Sequence, residues 1–431
     1  MSLTTGARTG APHRPFAPRS QRLSAVLAML GFVLVAANMR AAVSAVSPLV
    51  EEIEHRYHLG SGGGGLLTTL PVLMMSVGAP VAAWLARRQG TERAVLLGLG
   101  LLVAGILLRV LPSQAALFGG SVLTGLAITV LNVLMPGIVK RDFPEKAALM
   151  TGVYTTVMIG GATAAAALSV PLERSLGGWA GSLGVWALLA AAAFVVWLPQ
   201  LVRNERPAAR AAAASSGQEP SGWLRRSPLA WQIAVFMGIC SLLSYTAIAW
   251  LPTIFTDHGM SHADAGAVFA FSTFVQLFSA FLVPLAAGRG MRLRNKGGGG
   301  RQGGQRALVV VMVGCNAAGF AGLLAAPIGG AYLWAVLLGL AQGGSFGLAL
   351  TILVLRAGDA AVAARLSGMA QLIGYLIAAI GPVGAGLLRQ ATGSWTLPLV
   401  LLLVACGVGL AAGLGAGRNV SLRIPATRSG R

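Results

Sequence analysis

Long apolar runs almost free of charge constrain this chain more than any other feature. They recur along its whole length, each about 18–25 residues long, enough to cross a hydrocarbon core of ~30 Å. A backbone in lipid has to satisfy its own hydrogen bonds, which leaves only helices or a closed barrel. Barrel strands alternate apolar and polar residues, and no such alternation occurs here. Composition agrees: of 431 residues, 55% are hydrophobic and 10% charged, against about 25% charged in an ordinary soluble domain. The sequence therefore predicts an all-α polytopic membrane protein. Its twelve spans are expected at residues 23–50, 64–86, 94–112, 116–139, 148–171, 181–199, 229–254, 265–288, 307–326, 331–354, 366–388 and 397–416.

The net charge of +20 points away from nucleic acid because of its placement. The basic residues sit in short connections between spans, not on one soluble domain. With both termini on the cytoplasmic side, 27 of the 32 Lys and Arg residues fall on that side. Arg56, Arg109, Arg174 and Arg389 fall outside, and Arg40 lies within the first span. The positive-inside rule thus fixes the orientation. The apolar run after Arg8, Arg14, Arg19 and Arg22 is too long for a signal-peptide h-region and reads as an uncleaved first span.

The two halves of the chain repeat each other. Val139-Lys140-Arg141-Asp142 and Leu149-Met150-Thr151-Gly152 in the first half are echoed by Leu355-Arg356-Ala357-Gly358-Asp359 and Leu366-Ser367-Gly368-Met369 in the second. Ser47-Pro48-Leu49 is echoed by Leu251-Pro252-Thr253. Parallel repeats suit a transporter that rocks about a central site. The expected organisation is an N-terminal tail (1–22), a six-helix bundle (23–199), a cytoplasmic linker (200–228), a second six-helix bundle (229–416) and a C-terminal tail (417–431).

Arg40 is the most informative residue. It lies roughly 15 Å from the outer end of its span, too deep for easy snorkelling, and a central arginine costs about 2.5–3.5 kcal/mol on insertion scales. Such a residue faces a cavity or a partner. Ser44, Ser47 and Glu51 share its helix face within about 40°, a polar stripe leading outward. Two readings stand: Arg40 binds a planar anion through its two-pronged guanidinium, or it clamps backbone carbonyls of neighbouring helices. A carboxylate partner is the weaker form of the second, because the acidic residues fall in loops or at span ends. Asn38 points to a different face of a regular helix, so it joins the site only if the helix unwinds; otherwise it bonds a neighbouring helix. Asn132, Tyr154, Thr155, Tyr245, Trp250, Gln276, Gln342, Gln371 and Tyr375 also lie at mid-depth. Each singly suits interhelical bonding; together they fall on spans that line a central cavity in a two-repeat transporter. Trp250 also suits an interfacial anchor. Pro48, Pro71, Pro80, Pro136, Pro252, Pro284 and Pro382 are expected to kink their spans, and Gly343 with Gly347 to let helices pack closely.

Other chemistries find no support. No span carries a central Asp, Glu or His, none of the three lysines follows a phosphate-binding glycine loop, and no metal-ligand set or nucleophile–base pair is present. No enzyme activity, cofactor or metal is expected. Cys240, Cys315 and Cys406 read as small buried residues.

The residues resemble a known family at this point. Asn38-Met39-Arg40-Ala41-Ala42 through Ser47-Pro48-Leu49, Leu66-Leu67-Thr68-Thr69-Leu70-Pro71-Val72 and Lys140-Arg141-Asp142-Phe143-Pro144 resemble the cyanate and 2-nitroimidazole porters of the major facilitator superfamily. So do Ala249-Trp250-Leu251-Pro252, Gln342-Gly343-Gly344-Ser345-Phe346 and Leu366-Ser367-Gly368-Met369-Ala370-Gln371. The resemblance implies a major facilitator fold of two six-helix bundles in the bacterial inner membrane. It implies secondary active transport by alternating access, coupled to a proton or an exchanged anion. The cargo that the resemblance implies is a small anion such as cyanate or a small organic acid, or alternatively a neutral heterocycle handled by efflux. The sequence departs from the general facilitator pattern after the second span, where Arg87 stands in place of an acidic residue.

Overall fold

The computed structural model describes residues 19–59, 61–214, 222–295 and 304–422. It is built from helices: α1 (Arg19–Ser44), α2 (Val50–Tyr57), α3 (Ser61–Val77), α4 (Ala79–Gln89), α5 (Thr91–Arg109), α6 (Gln114–Asp142), α7 (Ala147–Leu176), α8 (Trp179–Ala214), α9 (Pro228–Asp257), α10 (His262–Asn295), α11 (Gly304–Ala325), α12 (Ala331–Arg356), α13 (Ala360–Thr392) and α14 (Thr396–Ala416). Among the described residues, eleven helices are long and apolar enough to cross a membrane. Counted as one broken span, the bent pair α3–α4 brings the number to twelve, and the expected spans each find their helix.

Two prolines break helices for a direct reason. A proline has no amide hydrogen, and its ring crowds the carbonyl four residues back. Pro48 thus ends α1 at Ser44, and the chain continues through a 3-10 turn at Ser47–Leu49 into α2. Pro80 stands behind the 51° bend between α3 and α4 at Gly78. Pro71, Pro136, Pro252, Pro284 and Pro382 lie inside helices that run on through them. The expected linker at 200–228 is partly helical, since α8 continues to Ala214, while residues 215–221 fall outside the described segments.

Packing repeats between the halves. In the first, α1 packs on α7 and α8, α5 on α6 and α8, and α3 on α6. In the second, α9 packs on α13 and α14, α11 on α12 and α14, and α10 on α12. The halves meet by the same exchange, α7 against α10 and α12, α13 against α3, α4 and α6. Small residues set the closeness: Gly339, Gly343 and Gly347 on α12 face Ser272, Gln276 and Pro284 on α10. Even the polar ties correspond. At the end of α6, Arg141 pairs with Glu92 at the start of α5; at the end of α12, Arg356 donates to Gln305 at the start of α11. These ties lie on the face where α1 begins and α14 ends, called here the basic face after Arg87, Arg88, Arg141, Arg225, Arg356 and Arg365.

Candidate functional site

Arg40 is carried into the middle of the molecule by the apolar length of α1. Its neighbours Met39 and Ala41 are fully buried, whereas Arg40 itself is only half-buried. Its Nη2 donates to the Tyr245 hydroxyl on α9 at 3.2 Å. The guanidinium carbon lies 5.4 Å from the Tyr245 ring centre and 5.6 Å from that of Phe346 on α12, the range in which aromatic faces attract a cation. Among the described residues no carboxylate pairs with it. Tyr154 and Tyr375 lie within electrostatic reach of the same charge.

Arg40 borders a small cavity with Met158 and Ile159 from α7, Ser241, Ser244, Tyr245 and Ile248 from α9, Gln276 from α10, and Gln342 and Phe346 from α12. Its volume is about 20 Å³, room for about one water molecule. Anything larger needs the walls to part. The lining therefore joins both halves around one positive charge, two amides, three hydroxyls and two aromatic rings. Aligning Pro48 with Pro252 places Ser244 opposite Arg40 in the repeat, so Tyr245 meets the guanidinium from the neighbouring position of the pseudo-equivalent helix. Outward from Arg40, Ser44 at the end of α1 is half-buried and Ser47, in the 3-10 turn beyond it, is exposed, so the expected stripe does not run along one continuous helix; the Glu51 side chain lies outside the described residues.

Four of the residues singled out from the sequence come together here: Arg40, Tyr245, Gln276 and Gln342. Tyr154 and Tyr375 lie close by but outside the lining. Four others, Asn38, Thr155, Gln371 and Trp250, have protein partners elsewhere, while the Asn132 side-chain nitrogen has none among the described residues. Asn38 donates to the carbonyls of Leu34 and Leu189, so α1 stays regular and the amide holds α8. Thr155 donates to Ala280 across the halves at 2.9 Å. Gln371 donates to the Asn132 carbonyl at 2.7 Å and to Ser367, again across the halves. Trp250 donates to Pro382 at 2.8 Å and packs on Trp395, beside a separate apolar pocket.

Sequence reasoning passed over Ser241, Ser244 and Phe346. A helical signal was available, because Phe346 is one turn from Gln342 and Ser241 one turn from Tyr245. It also read Arg109 as an outer-loop residue. The structure buries it completely. Its Nη1 donates to the Ala42 carbonyl at 2.7 Å, while Nε and Nη2 have no partner among the described residues. Ala42 is left open because Val46 turns its amide to Val43 where α1 gives way. The carbonyl-clamping role weighed for Arg40 is thus performed by Arg109, and Arg40 keeps a face toward the cavity.

Comparisons with known proteins bear on this arrangement. The family model described as "Major Facilitator Superfamily" matches residues 28–382. The chain is 39% identical to "Uncharacterized transporter YycB" of Bacillus subtilis (strain 168), over 93% of this chain and 96% of that protein. It is 37% identical to the "2-nitroimidazole transporter" of Escherichia coli (strain K12), over 92% and 97% of the two chains. It is 29% identical to "Cyanate transport protein CynX" of the same organism, over 89% and 94%. Among solved structures, the proton:xylose symporter XylE bound to 6-bromo-6-deoxy-D-glucose superposes with a TM-score of 0.69 at 12% identity, covering 91% of this chain and 95% of that one. At that identity the likeness is one of fold.

Proposed function

Because the chain belongs to the Major Facilitator Superfamily, in its branch of cyanate and 2-nitroimidazole porters, we propose that this transporter carries a small anion through the centre of the molecule. Arg40 anchors it, and Tyr245, Gln276, Gln342, Ser244 and Phe346 shape the pocket. One observation carries the reading: a guanidinium at the wall of a central cavity, oriented by a phenol and two ring faces, with no carboxylate among the described residues to neutralise it. A bound anion supplies the missing charge, and burial away from water strengthens that attraction. Transport proceeds by alternating access, coupled to an exchanged anion or to a proton carried on the substrate itself. In this reading the chain lies in a bacterial inner membrane, and the distribution of its arginines and lysines supports an orientation with both termini cytoplasmic.

The test is uptake of cyanate and of small carboxylates by proteoliposomes. The wild-type chain accumulates one of them and Arg40→Ala does not, although Arg40→Ala purifies as a monodisperse protein with unchanged helical content. Equal uptake by both proteins would refute the anchor. A second reading is export of a neutral nitroheterocycle. It is favoured by the two aromatic rings and two amides of the lining and by the relative named for 2-nitroimidazole. Resistance of an overexpressing strain to nitroimidazoles, retained in Arg40→Ala, selects that reading.

A further inference from the structure

On the basic face, the seam between α4 and α13 opens into a cavity of about 710 Å³, far larger than the central one. Its floor is apolar and contributed by both halves, Pro80 and Ala83 from α4 and Met369 and Leu372 from α13. Three arginines border it, and the fold gathers them from three separate elements: Arg87 in the last turn of α4, Arg225 in the turn before α9, and Arg365 near the start of α13. The indole of Trp231, itself exposed at the rim, donates to the Arg225 carbonyl at 2.8 Å and fixes that turn beside the seam. Along the same two helices Val81, Trp84 and Leu376 are exposed, as expected of surfaces that face acyl chains. Arg88 lies over the Trp84 ring at 4.9 Å, a pairing of the residue types that favour the membrane–water boundary.

We propose that this cavity is a binding site for an anionic phospholipid. The headgroup phosphate sits among Arg87, Arg225 and Arg365, and one acyl chain lies along the apolar floor. Charge complementarity names the headgroup: three guanidiniums select a phosphate diester that lacks a compensating ammonium, and arginine is the residue best shaped for it. The floor names a lipid over a soluble anion, because inorganic phosphate has no use for apolar walls in this position. Basic pockets between helices on the cytoplasmic side bind lipid headgroups for these reasons. Since the walls belong to both halves, the bound lipid bridges them at the seam where they must slide. The site is separate from the central pocket and holds whatever the cargo is.

The test uses the purified full chain in detergent, titrated with phosphatidylglycerol, with phosphatidylcholine of the same acyl chains, and with inorganic phosphate. The expected result is a rise in unfolding temperature with phosphatidylglycerol that exceeds that with phosphatidylcholine, and none with phosphate. In the Arg87→Gln/Arg225→Gln/Arg365→Gln variant the difference between the two lipids disappears, with apparent affinity for phosphatidylglycerol falling at least about tenfold. Equal response to the two lipids, an equal response to phosphate alone, or an unchanged preference in the variant overturns the proposal. Should the triple variant not fold, a phosphatidylglycerol with a diazirine in its acyl chain decides the matter on the wild-type protein. Adducts on α4 and α13 around Ala83 and Leu372 support the site, and adducts confined to other helices overturn it.

Discussion

Arg40 and Arg109 are both guanidiniums drawn into the apolar interior beside α1, and they end in opposite situations. Arg109 is sealed in and spends one nitrogen on the Ala42 carbonyl; Arg40 keeps one side on a cavity. Their substitutions should separate accordingly. Arg40→Lys retains the charge but loses the planar fork and much of the stacking on Tyr245 and Phe346, so KM for the anion should rise about tenfold with transport still measurable. At Arg109 the readout is stability. Arg109→Lys keeps a donor for the open carbonyl and Arg109→Met does not, so the Met variant should be less stable by about 1–3 kcal/mol in thermal unfolding. A third residue lies outside the spans. Burial, and then the neighbouring Glu173, raise the pKa of Glu52 above the ordinary carboxylate value. A carboxyl that holds its proton more readily when folded destabilises the fold as pH climbs from its unfolded pKa through its folded one. Glu52→Gln should therefore raise the unfolding temperature near about pH 7, with the gain vanishing near about pH 4.

At the level of elements, the spans were legible because lipid imposes one demand on every segment: about twenty apolar residues in a helix. What the sequence left open was where a proline breaks a helix and where it does not. Pro48 and Pro80 interrupt theirs, whereas Pro136 and Pro284 sit within helices that carry on. Local chemistry is the same at all four, so the difference lies in the surrounding packing, which a single stretch of sequence does not carry. For the same reason the site was half legible. Depth along a span is readable, which exposed Arg40, Tyr245, Gln276 and Gln342; the direction of a side chain depends on rotation about the helix axis. Thr155 and Gln371 lie at the right depth yet face other helices. The glycine stripe of α12 shows how tightly that rotation is held. A Cβ at Gly343 would meet the Gln276 carbonyl and the Ser279 hydroxyl, so Gly343→Leu should push α10 outward, carry Gln276 away from the cavity, and cost at least about 1–3 kcal/mol. Gly314→Leu, where nothing lies within 4 Å of the added carbon, should be tolerated. Thermal unfolding and uptake measured side by side on the two variants check this.

Taken whole, the molecule joins two similar bundles through contacts that the proposed alternating access would have to make and break. On the basic face these contacts are intimate: a Cβ at Gly137 on α6 would lie 3.3 Å from that of Ala364 on α13. A little deeper, Gln371 bonds the Asn132 carbonyl and Ser76 the Leu372 carbonyl, each from one half to the other. The central cavity is meanwhile closed down to about 20 Å³. If the cargo leaves toward the basic face, α6 and α13 must separate there as the halves rock. Cysteines placed at Gly137 and Ala364, with Cys240, Cys315 and Cys406 replaced, stand near the 3.5–4.5 Å Cβ separation that a disulfide needs. Oxidation should therefore arrest uptake in proteoliposomes, and reduction should restore it. A matched pair within one half, joining α5 to α6, should leave transport intact when oxidised. Continued uptake by a fully cross-linked α6–α13 protein would mean that the halves do not move apart on this face, and the rocking mechanism would have to give way to one in which the cargo slips through a fixed frame.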